Sequence, residues 1–336
     1  MMAFKRKSKE EIKEEITNLT SDMHASIQSY TESPEKLKEL LDFMSQFHRY
    51  SFKNQAMIKS QYPGATCVGS FKAFSSLGFR INKMDKSKGE KGIRIFKPKE
   101  TFIFEKDGKW KEVSKASEEE LQKIKMGQLK TKKTVEFVMS TVFDISMTNA
   151  KPEDVPELLP NKHEHFANGG YLDEIYEALV VVGEKRGVSI DNENDAGINI
   201  GLAKGMYIES IAGDKLIVLN EGNTESENVA VLIHELAHAS LHNSKSVSKK
   251  MSEKTMEYQA EMAAYVVSKH FGIDTEESSM RYIASWTKNG NSIEDSMKLL
   301  TEVRDFSKIL IDDTSEALEN VMLYANDKEH SEGRSM

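Results

Sequence analysis

The chain has 336 residues, 38% hydrophobic and 30% charged, which supplies apolar material for two folded domains and excludes a disordered polyelectrolyte. No apolar run approaches about 18 residues, the first fifteen residues are mostly Lys and Glu, and Cys67 is the single cysteine. A membrane span, a secretory leader and an internal disulfide are therefore not expected, and a reducing cytoplasm fits. The net charge of −8 hides an asymmetry: residues 1–150 carry 28 Lys and Arg against 20 Asp and Glu, whereas residues 151–336 carry 18 against 34.

Residues 1–33 read as a charged helical extension. Ser33-Pro-Glu-Lys36 is a helix start with Pro at the first helical position, and the stripe Leu37, Leu40, Leu41, Met44 and Phe47 carries that helix toward residue 51. A second helix spans 52–61 and ends at Tyr62-Pro-Gly64. A short strand (66–68), a short helix (70–77), a basic turn and a strand (93–98) follow. Segments 101–104 and 109–113 flank Asp107-Gly108, a hairpin signal. A helix at 117–125 and a long strand at 134–145 complete this part.

Residues 43–99 hold 12 basic residues against Asp85 and Glu90, with nine aromatic residues interleaved. A basic groove floored by rings on which bases stack is the physical recipe for single-stranded nucleic acid binding, and the same composition also describes an aromatic core under solvated lysines. The residues nominated for nucleic acid are Arg49, Tyr50, Lys53, Asn54, Lys72, Phe74, Arg80, Lys83, Lys88, Lys91 and Arg94. Duplex DNA is a second ligand of the same chemistry, because a positive domain binds any polyanion at low salt.

Pro152, Pro156 and Pro160 mark residues 151–168 as a linker. Beyond it a helix (171–186) precedes strands at 198–202, 206–211 and 215–219, expected as a compact antiparallel unit whose edge could carry an extended peptide. Thr224-Glu-Ser-Glu227 is a capping-box pattern opening a helix that contains His234-Glu-Leu-Ala-His238. Positions four apart share a helix face, so His234 and His238 can converge on one cation, with Glu235 beside them as general base. Catalytic zinc takes a third protein ligand and leaves one position to water. The helix from Ser252 to Gly272 offers Glu257 and Glu261 one turn apart beside an apolar stripe, with Gly272 placed to stop it. Glu257 is taken as the third ligand and Glu261 as the carboxylate behind a ligand histidine; the reverse assignment is open. His242, Tyr265 and Tyr282 are candidates by type for stabilising an oxyanion, with Tyr282 ranked first. Helices at 276–287 and 293–312 close the chain, and 326–336 read as a frayed tail. The expected fold class is α+β in two domains, residues 34–150 and 169–325.

Several of these stretches, in one order, resemble a known family. Residues 41–55, Pro63-Gly-Ala-Thr66, Ser70-Phe-Lys-Ala-Phe74, Lys88-Gly-Glu-Lys-Gly-Ile93 and Val142-Phe-Asp-Ile-Ser146 are similar to the N-terminal single-stranded-DNA-binding domain of ArdC-like antirestriction proteins. His234-Glu-Leu-Ala-His238, Glu257-Tyr-Gln-Ala-Glu261 and Tyr282-Ile-Ala-Ser-Trp286 resemble the zincin-like metallopeptidase domain behind it, related to the ImmA/IrrE and SprT-like peptidases. Phe74 stands where the family usually has Trp, and Gln259 where relatives often carry Glu. The resemblance implies a protein of a plasmid, phage or integrative element that escorts single-stranded DNA past restriction and carries a zinc-dependent peptidase, with manganese as the alternative ion. It leaves two other readings: an ImmA-like peptidase that cleaves a repressor, and a non-proteolytic DNA protector with a structural metal.

Overall fold

The computed structural model describes residues 9–84, 91–151, 171–244, 251–276, 279–280, 283–284 and 293–332. In chain order the first elements are α1 (Lys9–Thr31), α2 (Pro34–Gln46), α3 (Phe52–Gln61), β1 (Val68–Ser70), α4 (Phe71–Ser76), β2 (Ile93–Lys106), β3 (Lys109–Glu112), α5 (Glu118–Lys125) and β4 (Thr131–Asp144). They continue with α6 (Leu172–Lys185), β5 (Val188–Asn192), β6 (Gly205–Glu209), β7 (Lys215–Leu219), α7 (Glu225–Leu241), α8 (Glu253–His270) and α9 (Ile293–Glu332). They sort into two compact units, Met1–Asn18 with Gln61–Ala150, and Leu19–Ser60 with Lys151–Met336.

The first unit is built on an antiparallel sheet of order β1-β4-β2-β3. The two strands expected at 93–98 and 101–104 are one strand, because β2 pairs with β4 without a break from Ile93↔Val142 to Phe104↔Thr131. Pro98 is tolerated within it: β3 pairs only with Ile103 to Lys106, so the missing N–H of Pro98 lies where β2 has one neighbour. The expected hairpin forms at Asp107 (φ 52°) and Gly108 (φ 71°), the paired positive φ values that match strand twist. Asp144 ties the sheet to the chain before β1. Its fully buried carboxylate accepts from the backbone N–H of Thr66 (2.8 Å) and Cys67 (3.0 Å) and from both the N–H (3.0 Å) and the hydroxyl (2.7 Å) of Ser146.

In the second unit α2 begins as its sequence suggests, with Ser33 accepting from the Lys36 N–H and Pro34 at the first turn. Its apolar face, Leu37, Leu40, Leu41 and Met44, is fully buried, each side chain worth about 1.5–3 kcal/mol on leaving water. Residues 34–60, grouped by sequence with 61–150, thus pack with the C-terminal half. The Tyr265 hydroxyl of α8 donates to Asp42 (2.6 Å), His270 Nδ1 donates to the Ser45 carbonyl (3.0 Å), and Arg304 of α9 donates to the His48 carbonyl (3.0 Å).

The sheet of this unit has the order β5-β7-β6 and is mixed, β5 running parallel to β7 and β6 antiparallel to it. The expected antiparallel trio is corrected here. Residues 198–202 form no strand, because Gly197 and Gly201 take positive φ (64° and 65°) and bend that segment. Val188–Asn192 supplies the third strand instead. Ile217, Val218 and Leu219 of the central strand are buried, which leaves β6 as an edge beside α7. The capping box at Thr224 and Glu227 forms as expected, and α8 closes at Gly272 (φ 78°), where Ile273 N–H reaches Ser268 O and Gly272 N–H reaches Lys269 O. The helix expected at 276–287 falls largely outside the described residues. α9 runs on to Glu332, past the expected end at 312 and into the stretch read as frayed; no Gly or Pro interrupts it, and Ala317 and Leu318 are buried. No helix among the described residues is long and apolar enough to cross a membrane.

Candidate metal centre

One turn of α7 places His234 and His238 side by side, their Nε2 atoms 3.0 Å apart. Glu257 on α8 meets both, with Oε2 3.6 Å from His234 Nε2 and Oε1 3.4 Å from His238 Nε2. One ligand atom from each of the three residues can be chosen so that all lie within 4.8 Å of one another. A tetrahedral ion with bonds of about 2.0–2.2 Å separates its ligand atoms by about 3.3–3.6 Å. The spacing and the two-nitrogen, one-carboxylate donor set therefore fit zinc. Glu261, one turn further, faces the other side of His234: its Oε2 is 3.3 Å from Nδ1, and its Oε1 accepts from the Ser279 hydroxyl at 2.5 Å. Glu257 thus meets both Nε2 atoms and Glu261 the outer nitrogen of His234, the assignment taken from the sequence with its reverse left open.

Glu235 is 8% exposed and points toward the edge strand, where its Oε2 accepts the Tyr207 N–H at 2.8 Å. The strand can come this close because residue 205 is glycine. A Cβ there would stand 2.4 Å from Val231 Cγ1 and 3.2 Å from Glu235 Cγ. A cleft of about 980 Å³ opens over these groups, lined by Gly205, Met206 and Tyr207 on one side and by His234, Glu235, His238 and Glu257 on the other.

Charge in the cleft is concentrated on few groups. Burial opposes the His234 imidazolium, yet the Glu257 and Glu261 carboxylates outweigh it and push its pKa up to about 10. Hydrogen bonds from His234 and His238 hold Glu257 well below the usual carboxylate range. Burial raises Glu235 above it, against the pull of the two histidines. Such a polarised cluster of acceptors is the environment in which a dication replaces protons.

Of the oxyanion candidates, Tyr265 is turned away from the centre, its hydroxyl engaged by Asp42. Tyr282 lies outside the described residues. His242 sits beside His238, with its Nδ1 3.0 Å from His238 Nδ1. The nucleic-acid candidates divide between the two units. Arg49, Tyr50, Lys53 and Asn54 belong to the second, and Lys72, Phe74, Arg80, Lys83, Lys91 and Arg94 to the first. Arg49, Lys53, Lys72, Arg80, Lys83 and Lys91 are exposed, and Tyr50 is half-buried. Phe74 is corrected: at 2% exposure its ring packs over Gly69 in the core and offers no face to a base. Asn54 is likewise buried, and Arg94 is held by Glu15 (3.2 Å) and Thr141 (2.7 Å). Lys88 lies outside the described residues. The sequence reading missed the Tyr207 amide, Ser279, Gly205 and the Gln259 partner of His242, all supplied from distant segments with no local signal.

An H-E-x-x-H helix joined by a glutamate from the next helix, beside the edge strand of a small sheet, defines a zincin-like domain. Residues 6–143 match the family model of the N-terminal domain of anti-restriction factor ArdC, and residues 195–290 match that of the IrrE N-terminal-like domain, peptidase family M78. The two matches give the chain an ArdC-like two-domain organisation, with an ArdC N-terminal domain ahead of a zincin-like M78 domain. It is 38% identical over 316 residues to an uncharacterized protein of Bacillus anthracis, covering 91% of this chain and 52% of that protein, so it spans about half the length of that relative. It is also similar to the metal-free crystal structure of the antirestriction ArdC protein from plasmid R388, with a TM-score of 0.42 and 18% identity over 80% of this chain and 85% of that one.

Proposed function

We propose that this chain is a single-stranded-DNA-binding antirestriction protein of a mobile element whose M78 domain is a zinc-dependent endopeptidase. The observation that carries the peptidase reading is the meeting of His234, His238 and Glu257 beside the buried carboxylate of Glu235. His234, His238 and Glu257 would hold the ion. When bound, zinc supplies Lewis acidity, activating water near neutral pH and polarising a peptide carbonyl. Glu235 acts as general base: the Tyr207 N–H fixes its Oε2, and Oε1 takes the proton from water and returns it to the leaving amine. The edge of β6 offers backbone groups along which an extended peptide can lie across the cleft.

The DNA reading is supported by the ArdC N-terminal match and by the exposed cations Lys72, Arg80, Lys83 and Lys91. Replacing Glu235 by Gln separates the two activities. Zinc content and DNA binding are expected to persist while peptide hydrolysis falls by about 10²–10⁴-fold. Hydrolysis at the wild-type rate in that variant would sink the mechanism. If protection from restriction survives the substitution, protection is DNA coating and the peptidase acts on something else. Anisotropy binding to single-stranded and duplex oligonucleotides at two salt concentrations tests the DNA reading. Tight single-strand binding at physiological salt supports it; no strand preference brings forward a peptidase that cleaves a repressor.

A further inference from the structure

Glu261 faces the outer nitrogen of His234, but the outer nitrogen of His238 meets a different group. His238 Nδ1 lies 3.0 Å from Nδ1 of His242, two turns along the face that begins at His234. His242 Nε2 lies 2.9 Å from Gln259 Oε1 on α8, and Gln259 Nε2 lies 2.7 Å from Glu302 Oε2 on α9. We propose that His242, Gln259 and Glu302 form a hydrogen-bond relay that positions and polarises the metal ligand His238. The relay rests on the zinc reading above.

Proton counting gives the relay one direction. A neutral imidazole that ligates through Nε2 keeps its only proton on Nδ1, so His238 donates to His242. His242 must then accept at Nδ1 and carry its own proton on Nε2, which donates to the Gln259 carbonyl oxygen. The remaining polar group of Gln259 is an amide donor, and it meets the full negative charge of Glu302. Reversing any one link would set two donors or two acceptors against each other. Glu302 is placed to hold that charge, with Lys298 Nζ 4.0 Å from its other oxygen.

The chain of partners explains a glutamine where a second carboxylate would otherwise serve. Glutamate at position 259 would accept from His242 equally well but would stand 2.7 Å from the Glu302 carboxylate. Glutamine has both an acceptor and a donor, so it passes the influence of a distant carboxylate to His238. The two ligand histidines are thus oriented by different devices, one carboxylate directly and the other through two intermediates.

The test measures zinc affinity of the full chain by competition with a chromogenic chelator and reads imidazole tautomers by long-range ¹H–¹⁵N correlation. In the zinc-loaded wild type, His242 is expected as the Nε2–H tautomer. His242→Phe and Gln259→Leu are each expected to weaken zinc binding by about 10–100-fold. The double variant Gln259→Glu/Glu302→Gln moves the charge one place along while keeping every link, and it should return toward wild-type affinity. An Nδ1–H tautomer at His242, unchanged affinity in both single variants, or no recovery in the double variant would overturn the relay. Failure of the wild type to bind zinc at all would instead remove the metal reading, and the relay with it.

Discussion

Acid should unfold the second unit through one histidine in particular. His48 is 3% exposed, lies edge-on to His270 at 4.8 Å between ring centroids, and has its Nε2 3.5 Å from Asp312 Oδ1. Burial pushes its pKa down from 6.5 to about 4; Asp312 opposes the shift, while Arg49 and Lys308 add to it. The folded pKa lies below the unfolded one, so the unfolded chain binds the proton more readily. This contribution is fully present above pH 6.5 and is lost as pH falls toward 4. At about 1.4 kcal/mol for each pH unit between the two values, the folded state gives up about 3 kcal/mol by pH 4. That is a large share of an ordinary domain's stability. The assay is urea unfolding of the metal-free chain and of His48→Gln at pH 7.5 and pH 4, followed by circular dichroism. Carboxylates and the other histidines titrate in both proteins, so the difference between the two pH dependences isolates His48. The wild type should lose about 3 kcal/mol more than the variant over that interval. Equal losses would refute the reasoning and show that His48 is solvated enough to protonate in place.

Three further outcomes follow from the geometry. Gly205→Ala sets a methyl 2.4 Å from Val231 Cγ1 and against Glu235, and it should cost about 1–3 kcal/mol of stability while slowing any hydrolysis; a thermal scan with no loss would show that strand and helix separate freely. Glu261→Gln replaces the carboxylate facing His234 Nδ1 and should weaken zinc binding by about tenfold or more in the chelator competition, whereas unchanged affinity would mean that Ser279 and packing hold the histidine without it. Asp144→Ala removes the fully buried acceptor of the Thr66, Cys67 and Ser146 N–H groups and should cost about 3 kcal/mol in the first unit, read as early loss of amide protection in that unit; protection equal to wild type would show that water replaces the carboxylate.

Sequence alone located the H-E-x-x-H helix because everything needed there is local. The spacing of His234 and His238 and the capping box at Thr224 lie within α7, and Gly272 closes α8 just as locally. Glu257 and Glu261 were found together for the same reason and taken as third ligand and supporting carboxylate, with the reverse assignment left open. Their distinction depends on which nitrogen of His234 each one faces, and that is fixed by how α8 lies across α7. The nucleic-acid candidates failed in part for a related reason. Phe74 and Asn54 have the right chemistry in a basic stretch, and only packing shows that both are buried.

What the sequence determined by itself was therefore the inventory and its local order: an α+β chain, a basic first part, and an H-E-x-x-H helix followed by a helix with two acids. Tertiary structure decided the rest. It joined β2 into one long strand, exchanged residues 198–202 for Val188–Asn192 in the small sheet, and moved residues 34–60 into the second unit. It also brought the Tyr207 amide to Glu235 and Glu302 to Gln259. The physical reason is the range of the interactions. Helix periodicity and capping act within a few residues and leave their mark on consecutive letters, whereas strand partners and the groups facing His234 and His238 from other helices are chosen by burial among distant segments.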